Sequence, residues 1–192
     1  HSGPEWNRHE YDAKNISIRD LYETYLPAFK TLVKEGNVKE VMCAYNRFEG
    51  EPCCGSDQLL VKILREEWDY QGIVVSDCWA INDFYNKRAH ATHPDSASAA
   101  SDAVLSGTDL ECGGSYESLV DGVKRGLISE ADIDVSVKRL LKARFELGEM
   151  DELKDVKWAQ IPYSVVASAK HDSLALDIAR KSITLLQNKN QI

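Results

Sequence analysis

Residues 71–80 read Gln71-Gly72-Ile73-Val74-Val75-Ser76-Asp77-Cys78-Trp79-Ala80. A Gly turn followed by a continuous apolar run without polar alternation is the pattern of a strand buried on both faces, as in a parallel sheet. Asp77 falls where that strand ends. An ionisable residue there either caps the next helix, expected to start near Ala80, or carries chemistry. Parallel α/β proteins gather functional groups on the loops after the carboxyl ends of their strands.

The same unit appears on either side. Upstream, Val38 to Tyr45 (VKEVMCAY) is a short β-branched and aromatic strand, and Asn46 to Ser56 is a Gly/Pro-containing loop. Leu59 to Trp68 then reads as a helix with Leu60, Ile63 and Leu64 inward. Before it, Ser17-Ile18-Arg19-Asp20 has the spacing of a helix cap. Leu21, Tyr25, Leu26, Phe29, Leu32 and Val33 follow at helical intervals until Gly36. Downstream, 97–105 is a small-residue helix, 108–111 a third short strand, and 116–125 another helix. Ser129 starts a long helix whose Ile133, Val137, Leu140, Leu141 and Phe145 form an apolar stripe ending at Gly148. Residues 149–161 are charged and end in Pro162, the pattern of a linker, and 167–186 is one more amphipathic helix. Strands alternating with helices imply parallel βα units; a barrel and an open doubly wound sheet both satisfy the pattern.

The 192 residues suffice for one domain or part of a larger one. With 43% hydrophobic and 28% charged residues, the composition is that of a soluble globular protein with a real core. A net charge of −8 without a Lys/Arg cluster argues against nucleic acid and an anionic membrane surface as partners. No run approaches the roughly 20 apolar residues needed to cross a bilayer. The opening His1-Ser2-Gly3-Pro4-Glu5 has neither initiator Met nor signal-like region, and the ending Lys189-Asn190-Gln191-Ile192 reads as a severed connection. Cys43, Cys53, Cys54, Cys78 and Cys112 are odd in number, so they are reduced or partly paired, which leaves cytoplasm and periplasm both open.

Strand ends select Tyr45, Asn46, Arg47 and Glu49 after the first strand, Asp77 and Trp79 after the second, and Glu111 after the third. Carboxylates, aromatics, Asn and Arg together suit a sugar. Carboxylates bind hydroxyl pairs and one can attack the anomeric carbon, while an indole stacks on the apolar face of the ring. His90 and His93 look superficially like metal ligands, but Pro94 interrupts any helix that would align them, and loop histidines are the expected reading. Asn15-Ile16-Ser17 matches a glycosylation sequon.

The run VMCAYNRFEGEPCCGSDQLLVKILREEWDYQGIVVSDCWAINDFY, residues 41–85, resembles the signature region of glycoside hydrolase family 3. HSGPE at the start, SGTDLECGG at 106–114 and LALDIARKSITLLQNKN at 174–190 resemble it too, so the likeness covers nearly the whole chain. The resemblance implies the C-terminal part of a (β/α)8 TIM barrel, whose last three strands are 38–45, 73–77 and 108–111. Its partial barrel domain would span 1–148, with a linker at 149–166 and the first helix of an α/β sandwich domain at 167–192. The first five strands would lie outside the chain. By the same resemblance Asp77 is the nucleophile of a retaining enzyme, and Tyr45 lies beside it and helps bind the sugar. Trp79 departs from the small residue many members carry, and is expected in the substrate pocket. Arg8 and His9 are expected on the sugar-binding wall, Glu111 near the site, and Asp109 as a structural group near the barrel rim.

A sugar-binding Lys-His pair usually precedes the HSGPE segment and is absent. The acid/base is expected to be a Glu of the sandwich domain beyond Ile192. His9 with Asp12 has the residue types of the alternative Asp-His acid/base, but in the wrong order and spacing. The resemblance thus implies an exo-β-glycosidase acting on glucosides or xylosides through a glycosyl-aspartate, with HSGPE leaning towards enzymes that also handle xylo-configured substrates. Expected partners are an oligosaccharide or an aryl or alkyl β-glycoside and the rest of the parent chain, with no cofactor and no metal. A periplasmic or secreted location is placed ahead of a cytoplasmic one. The competing readings are a non-catalytic carbohydrate-binding or structural remnant, and a barrel aldolase, which would need a Schiff-base Lys that none of the three strand ends supplies.

Overall fold

The computed structural model describes residues 3–189; His1 and Ser2 of the opening segment and the tail 190–192 lie outside the described residues. The chain forms two compact units, His1–Glu146 and Leu147–Ile192. In the first, strand β1 (Asp12–Ala13) is followed by a turn of helix (Ile18–Asp20) capped by Ser17, whose hydroxyl accepts the Asp20 amide. The single helix expected from the spacing is broken. Pro27 has no amide to donate, so the chain passes through a wide turn at Leu21–Tyr25 before helix α1 (Pro27–Lys34).

Strand β2 (Glu40–Cys43) pairs in parallel with β5 (Ile73–Ser76), Val41 opposite Val74 and Cys43 opposite Ser76. Between them lies helix α2 (Asp57–Glu67), whose turns are wider than an α-helix's; Ser56 caps it by accepting the Leu59 amide. This is the parallel α/β unit that the alternation implies. The third expected strand shrinks to one parallel bridge, Val75 to Leu110, because Gly107 and Gly113 bend the backbone on both sides of Thr108–Cys112. The loop after β2 is also more ordered than its Gly/Pro content suggests. β3 (Arg47–Phe48) and β4 (Glu51–Pro52) form a tight hairpin, and β3 pairs in parallel with β1. Glu49 and Gly50 both take positive φ, the conformation that a two-residue hairpin turn demands.

Helices α3 (Asn82–Tyr85) and α5 (Leu119–Lys124) both pack against α4 (Ser96–Leu105). Ala97, Ala99, Ala100 and Ala103 of α4 are buried, and their small side chains let Ile81 and Phe84 pack closely beneath them. Helix α6 (Glu130–Glu146) departs from its predicted apolar stripe, since Val137, Leu141 and Phe145 are all exposed. Its inward face is polar instead: Ser136 Oγ and Arg139 Nη1 donate to Asp109 Oδ1 at 2.9 and 2.8 Å.

The second unit contains two short 3-10 turns, Lys157–Gln160 and Tyr163–Val165, and helix α7 (Ala169–Ser182), shorter than the expected 167–186. No helix among the described residues is long and apolar enough to cross a membrane.

Candidate active site

Asp77 is the first residue past the carboxyl end of β5. The ladder runs up to it from both sides: the Asp77 amide donates to Cys43 O (3.1 Å) and the Ser76 amide to Leu110 O (2.9 Å). Ser76 is buried, and its small hydroxyl accepts the Cys112 amide, locking the next loop at the level of Asp77. Beyond Asp77 the chain turns sharply, with Trp79 at φ 65 and the Ala80 amide donating to Asp77 O. The Asp77 carboxylate accepts the amide of Cys78 at 2.7 Å. Helix α3 begins five residues later and takes no cap from it, which removes the helix-cap account of this residue.

Tyr45 reaches across from the end of β2. Its hydroxyl donates to Cys78 O at 2.6 Å, the backbone carbonyl adjoining Asp77. Asp77 is near. Burial, and then the Asp77 charge and hydrogen bonding to it, push the Tyr45 phenol up, while the Arg8 charge opposes them. The Arg8 guanidinium lies 4.9 Å from the centre of the Tyr45 ring, and His9 meets the same ring edge-on with centroids 4.5 Å apart. Arg8, His9, Tyr45 and Asp77 are therefore one cluster, built from a loop, the end of β2 and the end of β5.

Trp79 stands at the rim, 60% exposed, its amide donating to Cys112 O. Glu111 sits after Leu110, but its carboxylate is engaged by its own loop: Oε1 accepts the Ser115 amide and Oε2 the Tyr116 amide. Asp109 points the other way, fully buried beneath the sheet end, where Oδ2 accepts Arg65 Nη2 (2.7 Å) and the Val74 amide (2.9 Å). His90 and His93 flank Phe84. His93 Nε2 is 3.3 Å from Asp102, whereas both His90 nitrogens are buried, and burial, then the Arg47 charge, lower its pKa to about 4. No group of three or more His, Cys, Asp or Glu among the described residues could hold a metal ion. Asn15 of the sequon is exposed, at φ 59.

Two features escape sequence reasoning. Cysteines pair as Cys43–Cys54 and Cys78–Cys112, leaving Cys53 buried and free. The second bridge ties the residue after Asp77 to the residue after Glu111. The other feature is Asp83 in α3, which lies 2.7 Å from His9 Nδ1. Its only signal in the sequence is an acid placed among Ile81, Phe84 and Tyr85.

Residues 3–143 match the model of the glycosyl hydrolase family 3 N-terminal domain. A xylan 1,4-beta-xylosidase of Xylanibacter ruminicola is 52% identical over 194 residues, covering 100% of this chain and 22% of that protein. Among solved structures, a family 3 exo-beta-xylosidase in complex with a xylobiose aziridine activity-based probe superposes with a TM-score of 0.84 at 30% identity, over 95% of this chain and 24% of that one. A beta-glucosidase involved in saponin metabolism from intestinal bacteria gives a TM-score of 0.82 at 33% identity, over 100% of this chain and 25% of that one. The chain thus spans about a quarter of the length of the proteins it matches.

Proposed function

From the premise that the chain belongs to glycoside hydrolase family 3, we propose that it carries the nucleophile half of a retaining exo-β-glycosidase, acting on terminal β-xylosides in preference to β-glucosides. The observation that carries this reading is Asp77 at the carboxyl end of β5, its carboxylate not used as a helix cap and flanked by Tyr45, Arg8 and His9. The preference for xylosides is supported by the relatives: the 52% identical protein is named a xylan 1,4-beta-xylosidase.

In this reading β2, β5 and the Leu110 segment are three successive strands of a (β/α)8 barrel, the remaining strands being supplied by the parent chain. An apolar groove lined by Leu21, Phe29, Val33, Val41, Leu60 and Ile63 supports this, since it suits a packing surface. Residues 149–166 are the linker, and 167–192 open a sandwich domain that brings the acid/base.

The chemistry follows from the geometry. An Asp77 oxygen attacks the anomeric carbon as the acid/base protonates the leaving oxygen, giving a glycosyl-aspartate. Water, deprotonated by the same acid/base, then displaces Asp77 with net retention. Tyr45 holds the Cys78 carbonyl and so fixes the Asp77 backbone. Arg8 offers hydrogen bonds to a sugar hydroxyl, His9 packs edge-on against Tyr45 beside it, and Trp79 offers an indole face at the rim. Glu111 supports the loop that carries Trp79's partner, Cys112. The two disulfides favour an oxidising compartment, periplasmic or extracellular.

The test is Asp77→Ala in the full-length protein assayed on aryl β-xylosides. Turnover should fall by several orders of magnitude, because neither the covalent intermediate nor the nearby negative charge remains. Azide should enter the vacated space and give the α-glycosyl azide. A variant that retains more than a few per cent of the wild-type rate would remove Asp77 from the mechanism.

A further inference from the structure

His9 and Asp83 are 74 positions apart, yet His9 Nδ1 lies 2.7 Å from Asp83 Oδ2. Asp83 is the second residue of α3, with a side chain only 9% exposed. Burial pushes its carboxyl up, and the hydrogen bond from His9, with the charge of Arg8, pulls it back. On the other side of the ring, Arg8 Nε donates to His9 Nε2 at 3.2 Å. A guanidinium has no lone pair to offer, so Nε2 must be the unprotonated nitrogen. His9 therefore carries its proton on Nδ1 and gives it to Asp83. The two neighbours together fix one tautomer and one ring orientation.

The row continues towards the reaction centre. Arg8 Nη1 is held by Glu5, Nε by His9, and Nη2 has no hydrogen-bond acceptor among the described residues. The guanidinium is thereby held over Tyr45, whose hydroxyl binds the backbone next to Asp77. Without Asp83, His9 loses the acceptor that demands Nδ1–H. It can then protonate on Nε2, which presents a donor to Arg8 and expels it.

We propose that Asp83 is a positioning residue, which through the His9 tautomer holds the Arg8 guanidinium at the edge of the Asp77 site, where it binds a hydroxyl of the sugar. This rests on the glycosidase reading of the same site. It assigns to α3 a role that neither its sequence nor its shortness suggests: the helix after the Asp77 strand anchors the opposite wall of the pocket.

The experiment uses the full-length protein and aryl β-xyloside kinetics. Asp83→Leu, apolar and of similar length, should lower kcat/KM by about 10- to 100-fold. Most of the loss should appear in KM, since Arg8 holds substrate and transition state alike. Asp83→Asn keeps one acceptor oxygen for Nδ1–H and should recover most of it. In an Arg8→Met background, Asp83→Leu should cost less than about threefold further, because the group it positions is gone. Should Asp83→Leu fail to fold, His9→Phe is the second variant. It keeps a ring against Tyr45 at a half-exposed position but cuts the relay on both sides, and must reproduce the KM rise. The proposal is overturned by an unchanged KM in either variant, by equal losses for Leu and Asn at position 83, or by an undiminished Asp83→Leu effect in the Arg8→Met background. Failure of the glycosidase reading would appear separately, as turnover surviving in Asp77→Ala.

Discussion

Asp109→Asn exchanges one oxygen for an amide and should be among the most damaging single changes in the first unit, although the residue never meets the substrate. Each Asp109 oxygen accepts two bonds: Oδ2 from Arg65 and the Val74 amide, Oδ1 from Ser136 and Arg139. The side chain is wholly buried and Arg65 is only 11% exposed. Arg65 also donates to the carbonyls of Tyr70, Gly72 and Gly107, so it cannot swing out to water without releasing the start of β5. An Asn retains one acceptor oxygen and turns its NH2 towards two donors, leaving both Arg65 and Arg139 without their anion. Breaking a buried pair in this way costs about 3–5 kcal/mol. At about 2–4 °C per kcal/mol for a domain of this size, the melting temperature of the full-length protein should fall by about 6–20 °C. Ser136→Ala, which removes one hydroxyl bond to the carboxylate and leaves both guanidinium pairs in place, should cost about 1.5–3 kcal/mol and serves as the scale. The assay is calorimetry of the purified variants, with activity measured well below the transition, where Asp109→Asn should turn over at close to the wild-type rate. A melting temperature within about 2 °C of wild type would refute the claim that Asp109 ties β5, α2 and α6 together.

Tyr45→Phe removes the bond to the Cys78 carbonyl and the polar contact with Asp77. It should slow turnover about 2- to 10-fold, the equivalent of one neutral hydrogen bond, with at most a small change in melting temperature, and unchanged kinetics would take Tyr45 out of the site. Cys112→Ser opens a bridge that spans 34 residues; the chain-entropy relation gives at most about 4 kcal/mol, so the variant should be less stable by up to that amount and should lose less than wild type on reduction, because only Cys43–Cys54 is left to open. Wild type indifferent to dithiothreitol would deny the clasp any role. His90 has a folded-state value depressed from 6.5 to about 4. As pH falls through 6.5 the unfolded chain takes up a proton that the folded one refuses until about pH 4, so stability declines across that window by up to about 3 kcal/mol. His90→Gln should flatten that part of the pH–stability curve, and an identical slope in the variant would show that His90 is not its source.

The local signals in the sequence were strong enough to determine the α/β alternation and the point where β5 ends. Ile73-Val74-Val75-Ser76 can be buried on both faces, Ser17 and Ser56 can cap, and each of these choices is made by residues within a few positions of one another. The run at 41–85 likewise marked Asp77 and Tyr45 by their place in a motif. Where the sequence reading departed from the structure, either a local breaker outweighed the spacing or a longer-range term intervened. Pro27 divided a helix whose spacing was otherwise continuous, and α6 turned Ser136 and Arg139 inward because a buried carboxylate waits there.

Which side chains meet across the site was decided only by tertiary structure. Five cysteines admit many pairings, and the two found join positions 11 and 34 apart because the ends of β2 and β5 and their loops happen to bring those Cα atoms to 5.1 and 4.4 Å. Glu111 looks like a strand-end carboxylate until its loop folds back and both oxygens meet backbone amides. Asp83 looks like a helix residue until His9 arrives from 74 positions away. Periodicity records which face of an element avoids water, and a strand end records where chemistry can gather. Neither carries information about the partner a polar group finds, because that depends on the register and crossing of elements distant in the chain, which are fixed only when the core closes.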